Sequence, residues 1–155
     1  MRDATLSRFV SGIYDAVIDP ALWQPAIETI RVEFRFHIAV LAVNKVPSGD
    51  GVIFAFCNVP DEYARTLGNY GADIVEAWGG VQAIARLPLE EPLVTSEVRP
   101  IQHWKNNRFY LEWMKPQGIV GEVAMILASD RTTNANLGLS VHESRGPIEP
   151  EPLRI

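Results

Sequence analysis

The stretch Arg108-Phe-Tyr-Leu-Glu-Trp-Met-Lys-Pro-Gln-Gly118 runs straight into the apolar segment 119–128, and it limits the possible folds of this chain more than any other part. Phe109 and Trp113 stand four apart, as do Tyr110 and Met114, so the last turns of a helix here carry a large apolar side. Pro116 and Gly118 stop that helix, and an inner strand follows. A wide aromatic face feeding a buried strand calls for a sheet with helices laid on it.

Two strand pairs frame this element. Residues 37–43 and 52–57 are rich in β-branched and apolar side chains, and Pro47-Ser-Gly-Asp-Gly51 between them is a turn cluster, which predicts a hairpin. Residues 121–128 and 136–142 predict a second pair across a polar loop at 129–135. In the last strand Leu137, Leu139 and Val141 alternate with Gly138, Ser140 and His142. The first set is expected to enter the core, with Ser140 on the opposite face.

Ahead of the sheet, Leu6, Phe9, Val10, Ile13 and Val17 have helical spacing, and Trp23, Ile27, Ile30 and Phe34 continue it in a second helix. Asp19 is placed to cap that second helix and Pro20 suits its first turn. This helical hairpin is expected to lay its apolar face on the sheet. In the middle, Pro60 and Asp61 open a helix through Tyr63, Leu67 and Tyr70, broken by Gly68 and Gly71; a short helix is expected at 73–78 and an extended piece at 93–96. The order predicts an α+β fold, a central antiparallel β-sheet with helices packed on its faces, in the manner of a PAS or GAF sandwich.

Composition narrows the function. Fourteen basic residues against 19 acidic ones give a net charge of -5, and without a basic run there is little to attract a phosphate backbone. Cys57 is the only cysteine, which excludes an internal disulfide. The longest apolar run, 38–43, is far short of the ~20 residues of a membrane span, and no signal-peptide-like stretch follows Met1, so the expected location is a bacterial-type cytoplasm. His37, His103 and His142 share no ligand spacing, and a calcium loop begun at Asp130 would need Glu where Val141 stands. Ser140, His142 and Glu143 lack a nucleophile elbow, and Gly79-Gly80 lacks the spacing of a phosphate loop. No metal, no cofactor and no catalysis are expected.

Three motifs carry a family resemblance: Ile13-Tyr-Asp-Ala-Val-Ile-Asp-Pro-Ala-Leu-Trp23, then Tyr63-Ala-Arg-Thr-Leu-Gly-Asn-Tyr-Gly-Ala-Asp73 with Trp78 beyond, then the helix end at 109–118. In this order they resemble the N-terminal sensory, autoinducer-binding-like domains of LuxR-type helix-turn-helix transcriptional regulators. Ile74 follows Asp73 where the lactone receptors typically have Pro, and no Trp precedes it in that helix, so the resemblance implies a pocket but not a lactone. It implies a small-molecule site at Tyr63, Tyr70, Asp73 and Trp78, converging on one concavity. Read from the residues alone, Asp73 is first a cap for the following helix, and Tyr63 and Tyr70 suit core packing as well as a pocket wall.

The resemblance further implies one sensory or regulatory domain over 1–145, followed by a proline-rich tail at 146–155 with no helix-turn-helix. Pro150 and Pro152 would break a linker helix there, which fits either a truncated relative or a sensory domain standing alone. Such a domain is expected to act as a homodimer, or as a heterodimer with a full-length relative, through the helical hairpin at 6–34 or the helix at 109–114, without touching DNA itself. The rival expectations are a pure protein–protein interaction domain whose core is filled by its own aromatics and, ranked lower, a small α/β enzyme.

Overall fold

The computed structural model describes residues 3–146, so the proline-rich tail beyond Gly146 lies outside the described residues. Five strands, β1 (Ile38–Lys45), β2 (Gly51–Cys57), β3 (Pro92–Val94), β4 (Ile119–Ser129) and β5 (Thr133–His142), form one sheet in the order β2-β1-β5-β4-β3. Every neighbouring pair is antiparallel. The expected α+β architecture is the observed one.

Helices α1 (Asp3–Ile18) and α2 (Trp23–Glu33) form the expected hairpin, joined by a 3-10 turn over Pro20–Leu22. Asp19 caps that turn rather than α2 itself, its Oδ1 accepting the Ala21 N–H at 3.1 Å. Only α2 lies on the sheet. Ile27, with Trp23 and Ile30 beside it, packs against Ala39, Leu41, Ala55 and Cys57, and Leu137 and Leu139 join from β5. Helix α1 packs on α2 instead: it buries Phe9 and Ala16 and leaves Leu6, Val10, Ile13 and Val17 exposed. Apart from Phe9, the apolar stripe read as a sheet-facing one is thus on the outer surface of the hairpin.

The opposite sheet face is covered by a run of short helices: α3 (Asp61–Ala64), α4 (Gly71–Ala77), α5 (Val81–Ile84), α6 (Thr95–Val98) and α7 (Ile101–Lys105). Gly71 opens α4 rather than breaking a longer helix, and Gly79 and Gly80 after it hold positive φ values of 101° and 85°. Helix α5 has no counterpart in the sequence reading. The piece expected to be extended at 93–96 is strand only through Val94; Thr95 starts α6, its hydroxyl donating to Glu122 O. The polar loop expected at 129–135 shrinks to a tight turn, because Asp130 Oδ1 accepts the N–H groups of both Thr132 and Thr133 and lets the strands run on.

The aromatic helix end is present but wound differently. Tyr110–Met114 is a π-helical turn, in which the Lys115 N–H reaches Tyr110 O five residues back. Pro116 next in line has no N–H to give, and a 3-10 turn over Lys115–Gln117 closes on Gly118 in the left-handed region. Trp104, Phe109, Trp113 and Met114 are buried here against Ile38, Ile119 and Ala124.

Candidate functional site

A cavity of about 380 Å³ lies between the sheet and the short helices. Its floor follows from the strand register. Glu122, Ser140 and Ile38 share one row across β4, β5 and β1, Ala124, Gly138 and Val40 the next, and Ile126, Asn136 and Ala42 the third. Ala124, Gly138 and Ala42 are too small to fill the space above them, so room remains where larger side chains would have met the helices. Ser140 does lie opposite Leu139 and Val141, as the alternation predicts. That opposite face is the cavity floor: Ser140 is 6% exposed.

The roof is apolar and aromatic, with Ile74 and Trp78 from α4, and Phe109 and Trp113 from the aromatic helix. These rings are mutually braced. Phe109 stacks on Trp113 at 5.2 Å, and Trp104 meets Trp78 and Phe109 edge-on at 6.0 and 6.3 Å. Asn107, a residue the sequence reading passed over, anchors the two roof helices to each other. Its Oδ1 accepts the Phe109 N–H at 2.8 Å, and its Nδ2 donates to Asp73 O at 2.9 Å. At the other end the β1–β2 turn comes down on α4 at Gly71, so closely that a Cβ on Gly71 would run into Ser48 O. Lys45, Asp50 and Asn44 line that end.

Glu122 is the one acidic group set into the sheet floor of this cavity. Its carboxyl lies over the backbone of Gly138, with Oε1 2.6 Å from where a Cβ would stand. Among the described residues it has no hydrogen-bond or ion-pair partner on its carboxyl oxygens. Burial pushes its pKa up from 4.5 to about 7, and desolvation is the sole cause. The side chain keeps some accessible surface even so, because that surface is cavity wall rather than the outside of the molecule. Asn134 Nδ2, on the same face, is also buried without a partner.

The four residues expected to converge do not share one concavity. Trp78 lines the cavity; Tyr63, Tyr70 and Asp73 are not among its lining residues. Tyr63 sits edge-on to Trp113 at 6.1 Å, and its carbonyl accepts the Trp113 indole N–H at 2.9 Å. Tyr70 donates its hydroxyl to Glu112 at 3.1 Å, and the Arg108 guanidinium stands 4.8 Å from its ring centre. Asp73 is in the first turn of α4 but not at its N-cap; its Oδ2 accepts from Arg108 Nη2 at 2.9 Å and from Nε at 3.2 Å. The helix breaks after Ala64, so positions seven and ten beyond Tyr63 no longer share its face, and they turn to Arg108 instead.

Two residues far apart in the chain meet outside the cavity. The rings of His37 and His142 lie 4.7 Å apart, and desolvation, then the neighbouring His142, then Arg31, lower the pKa of His37. No group of three or more His, Cys, Asp or Glu among the described residues is arranged to hold a metal ion. Among the same residues no helix is long and apolar enough to cross a membrane.

No protein-family model matches the chain, and no curated protein matches it. Among solved structures it is similar to the crystal structure of the VqsR LBD domain from Pseudomonas aeruginosa. The TM-score is 0.63 at 12% sequence identity, over 90% of this chain and 79% of that one. At that identity the likeness establishes a shared fold.

Proposed function

We propose that residues 1–145 act as one cytoplasmic sensory domain of LuxR-type descent, which binds a small molecule in the cavity between the sheet and the short helices. The observation that carries this reading is the cavity itself. About 380 Å³ remains open beside Trp78, Phe109 and Trp113, in the range of a small-molecule site, although those aromatics could have closed it. A core packed solid by its own rings, the rival expectation, would leave no such space. Trp78 then touches the ligand directly. Tyr63, Tyr70 and Asp73 act on it at one remove, Tyr63 by bracing Trp113 and the other two by holding Arg108 against the roof.

The domain is neither an enzyme nor a DNA reader in this proposal, since among the described residues no hydroxyl lining the cavity is hydrogen-bonded to a base and the chain is net acidic. It passes its signal by pairing with a second copy or a full-length relative. Exposed Leu6, Val10, Ile13 and Val17 on α1 follow the 4-3-4 spacing of a coiled-coil seam, which is self-complementary when two such helices meet.

Native mass spectrometry of the purified protein tests the ligand reading. The expected result is a small-molecule adduct that Trp78→Ala loses while its circular dichroism is unchanged. An adduct that the folded Trp78→Ala protein keeps in full would overturn the assignment of the cavity. Light scattering tests the pairing: a dimer that Ile13→Lys converts to a folded monomer is expected, and a monomer at every concentration would refute it.

A further inference from the structure

Resting on the reading of the cavity as a ligand site, we propose that its ligand is an organic amine, bound with its ammonium group against the Glu122 carboxylate and its apolar part under Trp78, Phe109 and Trp113. The geometry sets the demand. A carboxyl in the floor of a partly open cavity, with no donor from the protein on its oxygens, has given up part of its hydration and gained no bond in return. The ligand group that restores most is one carrying both positive charge and N–H donors, because a charge-assisted hydrogen bond is about twice as strong as a neutral one.

Among the described residues no cation competes for that position. Lys45 and Asp50 are the other ionisable residues lining the cavity. Lys45 pairs with Thr133 whereas Glu122 pairs with Ser140, seven positions further along β5, which is about 23 Å at ~3.3 Å per residue. The Glu122 row also carries Ser140, whose hydroxyl offers a second polar contact, and Ile38, which belongs to the same core cluster as Trp78, Phe109 and Trp113. Charge at one end and π faces alongside is the arrangement that suits an ammonium with a hydrocarbon tail. Ligands that lead with acceptors, such as a free carboxylate, would set like charge or lone pairs against the Glu122 oxygens. The raised pKa adds a signature: amine binding tightens as pH rises through about 7, where Glu122 ionises.

The test compares three probes of one shape, 4-phenylbutylamine, 4-phenylbutan-1-ol and 4-phenylbutanoate, by calorimetric titration of the full chain at pH 8. The amine is expected to bind at least tenfold more tightly than the alcohol or the acid. Glu122→Gln, nearly the same size, should lose at least tenfold for the amine and leave the alcohol unchanged, and Glu122→Asp should keep part of the preference. An alcohol or acid that binds as tightly as the amine overturns the amine assignment; so does a Glu122→Gln protein that binds the amine as the parent does. Ala124→Leu, which fills the floor, separates that failure from failure of the site. If it abolishes whatever binding is seen, the cavity stands as the ligand site. If no probe binds at all, or if binding survives Ala124→Leu, the site and the amine proposal fall together.

Discussion

Glu122→Gln should stabilise this protein at alkaline pH and leave it nearly unchanged in acid. The native carboxyl titrates at about 7, against 4.5 for an unperturbed one, and burial alone is responsible. Below about pH 4 the group is protonated in folded and unfolded chains alike, so glutamine gains nothing. Between pH 4.5 and 7 the unfolded chain releases the proton while the folded one retains it, so the native protein loses stability as pH rises; above 7 the loss is complete. The full difference corresponds to about 3 kcal/mol. Water admitted to the cavity screens part of it, which leaves about 1–3 kcal/mol, or a rise in Tm of roughly 3–9 °C for a chain of this size. Urea denaturation of both proteins from pH 4 to 9 measures it directly. A Glu122→Gln protein that is less stable at pH 8, or whose advantage is the same at pH 4 and pH 8, would show that the carboxylate has a partner and that the reasoning fails.

Three further outcomes follow from the same contacts. Cys57 is 1% exposed and burial pushes its thiol up to about 11, so it should resist thiol reagents in the native protein at pH 8 and react at once in denaturant; fast native labelling would contradict its placement. Asn107→Ala removes the bond to Asp73 O in α4 and the cap on the Phe109 N–H and should cost about 2 kcal/mol by urea denaturation, more than a surface substitution. Gly71→Val places a branched side chain against Ser48 O, so it should destabilise the fold and loosen the β1–β2 turn, seen as faster amide exchange at residues 46–50; unchanged exchange there would argue against the close approach.

Much of the fold is legible in the residues because period-2 alternation and turn chemistry are local signals. Leu137, Leu139 and Val141 announce a strand and its core-facing side, and Pro47 to Gly51 announce the hairpin before it. Alternation is silent on what meets the other side. Gly138 and Ser140 look solvated on paper, yet they floor a cavity, since a polar residue satisfies the pattern whether its neighbour is water or a ligand. Glu122 had a signal that could have been used: it is the lone charge in an otherwise apolar inner strand. Tyr63, Tyr70 and Asp73 do not converge because each is engaged by a residue far along the chain, Trp113, Glu112 and Arg108 in turn, and such pairings leave no mark in local spacing. The π turn at Tyr110–Met114 depends on a missing donor at Pro116 and on burial of the rings around it, and only the first of these can be read from sequence.

The side chain of Gln24 accepts the Phe56 N–H at 2.8 Å and donates to the Phe56 carbonyl at 3.0 Å, so its amide forms with β2 the pair of bonds that a further strand would form. Strand β2 is the outer strand of the sheet and carries exposed Val52, Ile53 and Phe54, the composition from which strand-by-strand growth of fibres starts. An arriving strand must evict an amide that α2 holds in place, and the ladder is interrupted where it would need to be continuous. Association through the open-ended geometry of sheets is thereby disfavoured. The protein is expected to stay free of strand-by-strand fibre growth even where it is concentrated.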